Sequence, residues 1–192
     1  IVHDTLAFST EGTPLGLVDL QCWARDPAEA GKKAKRDRLP IEEKESYKWL
    51  KSYRAAAEMQ QLCGQTLLVS VADREGDLHD LFHEALHAPA GPKLLVRSER
   101  SRQRKVEEDF LWSTVLAGPV VGHFAVRVPR KSPRPSRQAT LAVRYAAVTL
   151  QPPKGSKLTA VPVWAVNARE VDYGPEVTEP LDWMLLTTVE VA

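Results

Sequence analysis

The chain reads as an α/β protein that continues into a mostly antiparallel β region, on two observations. A strand–helix–strand run occupies residues 66–97, and after about residue 105 short strand-like runs alternate with turns rich in Pro, Gly and Lys. No internal repeat organises the 192 residues.

Val2 to Phe8 predicts a strand, and Thr10-Glu11-Gly12-Thr13-Pro14 a turn. Leu15 to Trp23, apolar with partial alternation, predicts a second strand antiparallel to the first. Asp26 to Arg38 is charged, lacks an apolar face and reads as a loop. Pro40 before Ile41 and Gly64 after Cys63 bracket a helix, with Leu50, Tyr53, Ala57 and Leu62 as its buried face. Thr66 to Ala72 predicts a strand buried on both faces, Asp77 to His87 a helix, and Lys93 to Arg97 a strand. Such a unit makes its two strands parallel, joined by a right-handed crossover. Beyond it, Gly122 to Pro129, Ala139 to Arg144, Ala147 to Leu150, Leu158 to Val166 and Trp183 to Val189 predict further strands.

Composition is that of a soluble globular chain, with 43% hydrophobic and 27% charged residues. No apolar run approaches the roughly 18–20 residues needed to cross a bilayer, so no membrane partner is expected. Two cysteines, Cys22 and Cys63, suit reduced thiols better than a disulfide framework. Both termini run in strand-like sequence, which suggests an excised piece of a longer protein. The net charge of +1 hides an asymmetry: residues 1–92 balance to −4, whereas residues 93–169 balance to +11. A basic stretch of that size suits a polyanion such as DNA, or simply a solvated surface.

Three chemistries compete around the first parallel strand. The segment Val71-Ala72-Asp73-Arg74-Glu75-Gly76-Asp77 sets three acids where that strand stops. Ligands collect at the carboxyl ends of parallel strands, and a hard cation such as Mg²⁺ takes one or two protein carboxylates there. Asp73 is the natural ligand, while Glu75 and Asp77 equally suit the N-terminus of the following helix. His83-Glu84-Ala85-Leu86-His87 matches the zinc-hydrolase pattern of two histidines one turn apart around a glutamate base, with Glu107 or Glu108 as a third ligand. Against it, Pro89 ends the helix at once, and His79, His83 and His87 also make an ordinary polar helix face. An EF-hand reading of Asp73, Glu75, Asp77 and Glu84 fails because Leu78 stands where the loop needs glycine.

The segment Val71 to Phe82 resembles the signature around the second acid of DDE transposases of the insertion-sequence-four family. Further matching pieces follow in order: Val2-His3, Ile41 to Ser46 with Lys48-Trp49-Leu50, Leu95 to Ser98, and Trp183 to Thr187. The resemblance implies a truncated ribonuclease-H-like mixed sheet with helices over residues 1–104. A β-strand insertion over residues 105–192 follows, its last strand returning toward the core. It implies an Asp, Asp, Glu triad that holds two Mg²⁺ ions (or Mn²⁺), cuts transposon ends through a DNA hairpin and joins them to target DNA. Asp73 matches the second acid; the first and third would lie outside this chain. Arg97 matches an arginine that contacts the transposon end, and Trp183 a tryptophan that stacks on a flipped base. Taken without the resemblance, Arg97 reads as a surface ion-pair residue and Trp183 as core. Arg100, Arg102, Arg104 and Lys105 then read as phosphate clamps, as does the basic loop of Arg130, Lys131, Arg134 and Arg137. The expected partners are double-stranded DNA ends and target DNA, in a bacterial cytoplasm, with a dimer for the full-length protein. A decayed transposase retaining only DNA binding is the remaining alternative.

Overall fold

The computed structural model describes residues 1–25, 39–107, 109–131 and 135–192. The loop expected over 26–38 lies outside them, as do Glu108 and Arg134. The architecture is α/β with a mixed eight-stranded sheet. The chain forms two compact units, Ile1–Ser70 with Asp80–Lys93, and Val71–His79 with Leu94–Ala192.

In the first unit, β1 (Val2–Phe8) and β2 (Pro14–Cys22) pair antiparallel. Gly12 closes their turn at φ 85°, where a side chain would be strained. One face of the hairpin carries His3, Thr5 and Gln21 toward α1 (Tyr47–Leu62). There Gln21 Nε2 donates to Lys48 O at 3.0 Å and Ser52 Oγ at 3.2 Å, and His3 meets the Trp49 ring edge-on at 4.8 Å. The opposite face presents Val2, Leu6, Phe8, Leu17 and Leu20, all exposed.

The expected helix over residues 41–63 divides in two. A single 3₁₀ turn, Ile41–Glu43, precedes α1. Leu50 and Tyr53 are buried as expected, but Leu62 is exposed and Gln60 is buried instead. Gln60 is held by bonds to the carbonyls of Cys63 and Thr66 and to the Leu68 N–H, which satisfy its amide. Tyr53 donates its hydroxyl to Pro92 O at 3.1 Å, and burial pushes that hydroxyl's pKa up to about 12. A Cβ on Gly91 would stand 2.9 Å from the Tyr53 hydroxyl oxygen, so this close approach requires glycine.

Strand β3 (Val69–Ala72) and helix α2 (His79–Leu86) begin in one unit and end in the other. Strand β4 (Lys93–Arg97) is the neighbour of β3 in the sheet. Lys93 N–H donates to Leu68 O at 2.9 Å, so the two strands start side by side and run parallel.

The second unit holds β5 (Lys105–Val106), β6 (Asp109–Phe110), α3 (Leu111–Ala117), β7 (Gly122–Val128), β8 (Arg137–Leu150), β9 (Val161–Val171) and β10 (Asp182–Thr187). Sheet order is β3-β4-β10-β9-β8-β5-β6, with β7 also on β8. The last strand, β10, returns to lie antiparallel between β4 and β9. The sequence boundary at residue 104 therefore falls between two strands of one continuous sheet.

The core follows from the register. Val96, Leu186, Ala165 and Ala146 face each other across four strands, as do Val163 with Val148 and Val161 with Leu150. Leu111 and Val115 of α3, which packs on β8 and β9, are buried beside this unit's sheet. Each such aliphatic side chain contributes roughly 1.5–3 kcal/mol by leaving water.

Two departures from the sequence reading have local causes. The strands expected at 139–144 and 147–150 are one 14-residue strand. Its central Arg144 is accommodated because Nε donates to Gly118 O at 3.2 Å, and Tyr145 packs on the Trp164 ring at 5.9 Å. Helix α3 carries little helical signal because it is only seven residues long, with Trp112, Ser113, Thr114 and Val115, of modest helix propensity, at its centre. Ser113 and Thr114 hydroxyls both donate back to Phe110 O, at 2.9 and 3.0 Å, and Gly118-Pro119 ends the helix.

Candidate functional site

Asp73 follows the last residue of β3. It is exposed, and its Oδ1 accepts the Glu75 N–H at 2.8 Å, capping the single 3₁₀ turn Arg74–Gly76. Its Oδ2 has no protein partner among the described residues. Because β3 and β4 are parallel, Asp73 and Arg97 end neighbouring strands at the same edge of the sheet. Arg97 is exposed. Its cross-strand partner is Leu185, and Trp183 lies two residues along on the same face, half-buried opposite Ala168. The register thus puts Arg97 and Trp183 on one face of adjacent strands.

Asp77, four residues after Asp73, is fully buried. Its Oδ1 accepts Arg104 Nε at 2.6 Å, and its Oδ2 accepts the Glu99 N–H at 2.9 Å and the Ser98 hydroxyl at 3.2 Å. Its carbonyl oxygen accepts Arg104 Nη2 at 2.7 Å and Arg102 Nη1. Gln103, in the left-handed region at φ 44°, turns the chain so that both flanking arginines reach this one carbonyl. The Arg104 side chain is only 9% exposed. The four basic residues after β4 therefore divide: Arg104 is committed to Asp77 by several bonds, and exposed Arg102 by one. Arg100 is 64% exposed, bonded to Asp182 at 3.1 Å with its guanidinium 4.4 Å from the Trp112 ring centroid. Lys105 is exposed beside Phe110.

Glu99 adds a second link between the same segments. Its carboxylate accepts the Ser101 N–H at 3.1 Å and lies 3.9 Å from Arg74. The Ser101 backbone bond, then the Ser101 hydroxyl and the charges of Arg74 and Arg102, hold its pKa below the usual carboxylate value.

The histidine motif is built differently. Glu84 is clamped by Arg54, Nε at 2.7 Å and Nη2 at 2.8 Å. His87 Nδ1 lies 2.8 Å from His83 O, and the two rings stack at 4.3 Å. Glu107, offered as a third ligand, accepts the Thr149 N–H at 2.6 Å. His79 is buried with Nε2 2.8 Å from Thr159 O, so that nitrogen carries the proton. Of the basic Pro-rich loop, Arg137 is bound bidentately by buried Glu170. Among the described residues no cluster of three or more His, Cys, Asp or Glu could hold a metal ion, and no helix is long and apolar enough to cross a membrane.

Sequence reasoning missed the ion pairs of Asp77 with Arg104 and of Arg54 with Glu84. Their partners stand 27 and 30 residues apart, beyond any local spacing signal. The chain matches no known protein-family model and no curated protein.

Proposed function

We propose that this chain is the central part of a cut-and-paste DNA transposase of the DDE type, with a ribonuclease-H-like core. The observation that carries the reading is an exposed carboxylate with an open oxygen, Asp73, at the C-terminal tip of a parallel strand beside exposed Arg97. That is where α/β sheets collect ligands. A carboxylate oxygen with no competing cation suits a hard divalent ion. With the two further acids that the resemblance implies, Asp73 would hold Mg²⁺, and the ion would supply charge to activate the attacking oxygen and stabilise the leaving one.

The chain's own residues divide the remaining work. Arg97, Arg100 and Lys105 hold DNA phosphates electrostatically, without reading sequence. Trp183 offers an aromatic face for an extruded base, recovering roughly 1–3 kcal/mol of lost stacking. Arg104, buried on Asp77, supports the segment rather than touching DNA.

The zinc-hydrolase alternative needs Glu84 as a free base, and Arg54 occupies both of its oxygens. Stoichiometric zinc in the purified protein, lost in His83→Ala, would nevertheless establish it. A decayed, DNA-binding-only transposase differs only in acids outside this chain.

The test is DNA binding and cutting by the purified chain. Weak binding is expected, with log affinity falling linearly with log salt concentration. Arg97→Ala should lower that slope by about 0.9. No nicking with Mg²⁺ or Mn²⁺ is expected, since the chain supplies one carboxylate of three. Salt-independent affinity, or nicking abolished by Asp73→Ala, would overturn these expectations.

A further inference from the structure

We infer that Asp77 is a positioning residue that locks the strand-tip loop carrying Asp73 to the basic segment 98–104, so that both move as one body. Its bearing on catalysis rests on the transposase reading above; the lock itself does not.

Three features carry the inference. Asp77 accepts on both carboxylate oxygens and on its carbonyl, and every one of those donors comes from residues 98–104. The carboxylate is fully buried and its main cation nearly so, which makes the pair costly to separate. The Arg74–Glu99 pair ties the same two segments a second time, from the exposed side. The chain between Asp73 and Asp77 is a single turn fixed at both ends: Asp73 accepts the Glu75 N–H, and the Asp77 N–H donates to Arg74 O. A displacement of Ser98–Arg104 is therefore transmitted to Asp73 through four residues with little slack. Of the three acids in this segment, Asp77 holds the protein's own arginine, leaving Asp73 to face solvent.

The test is amide hydrogen exchange with backbone NMR on the whole chain, comparing wild type with Asp77→Asn and the milder Arg104→Lys. In Asp77→Asn, amides of residues 73–79 and 98–104 should exchange about tenfold faster, while the central pairs of β8 and β9 stay unchanged. Arg104→Lys, which keeps the charge but not the forked geometry, should give a smaller rise in the same residues. If Asp77→Asn does not fold, Arg104→Lys alone decides. Uniformly faster exchange across the sheet, or none in these two segments, overturns the lock.

Titration with Mn²⁺ provides the second arm. In wild type, paramagnetic broadening should reach both residues 72–76 and residues 98–101. In Asp77→Asn it should persist at 72–76 and weaken at 98–101. Equal broadening of both segments in the variant overturns the positioning role. Wild type without broadening at 72–76 overturns the metal role of Asp73, and exchange still decides the lock.

Discussion

Residues 73–77 and 83–87 lie a few turns apart in the chain, and each reads as a metal-binding pattern. They are built in opposite ways. In the first, buried Asp77 takes the arginines, and Asp73 is left exposed with an open oxygen. In the second, the central carboxylate itself is taken: Arg54 grips Glu84, and the flanking histidines stack on each other. Spacing alone makes the histidine pattern look sharper. The partner of each carboxylate decides which segment keeps a donor for a ligand.

This contrast can be broken by substitution. Asp77→Ala should have the largest effect, about 3–5 kcal/mol of lost stability, because it removes the carboxylate that balances the nearly buried Arg104 guanidinium. Denaturant unfolding measures it; a loss near zero would mean that Arg104 reaches water on its own.

A second buried carboxylate extends the comparison to pH. The Arg137 side chain bonds, first of all, and then the Leu181 N–H and the Arg137 charge, lower the Glu170 pKa against the opposing effect of burial. The folded value lies below the unfolded one, so ionised Glu170 stabilises fully above the unfolded value of about 4.3. That contribution fades as pH falls through the folded value. Stability of wild type should therefore drop more steeply than that of Glu170→Gln as pH is lowered from about 5 to 3. Parallel curves would remove Glu170 from the account.

Glu84→Gln should cost less, about 0.2–1 kcal/mol, since its pair with Arg54 is partly solvated. Asp73→Asn should be smallest, within about 0.5 kcal/mol, because its carboxylate faces water and Asn still accepts the Glu75 N–H. A stability loss at Asp73 as large as that at Asp77 would erase the distinction between them.

Much of the frame was legible in the chain. The strand Lys93–Arg97 falls where the sequence puts it, and β1, β2 and β10 within two residues. Alternation and bracketing Pro and Gly are local signals, read without knowing what lies across the fold. The apolar run of residues 66–72 does give a strand, but a shorter one, Val69–Ala72, and Val69 and Val71 are exposed, so it is not buried on both faces. The place of Asp73 at a strand tip came from the same signals. Leu62, by contrast, fits the helical period yet is exposed, while Gln60 is buried because three backbone groups after α1 need its amide.

The sequence by itself determined most of the element types, those between Lys105 and Ala117 apart, the parallel pair and which acid ends its first strand. Each depends on residues within one turn or one strand of each other, so local patterning suffices. Only the tertiary structure decided which charges are spent inside the protein. Asp77, Arg104, Glu84 and Arg137 are no more apolar than their exposed neighbours. What holds them, with Asp77 and Arg104 buried and Glu84 and Arg137 part-buried, is a partner of opposite charge brought up from 27 to 33 residues away, close enough to replace the water each one loses.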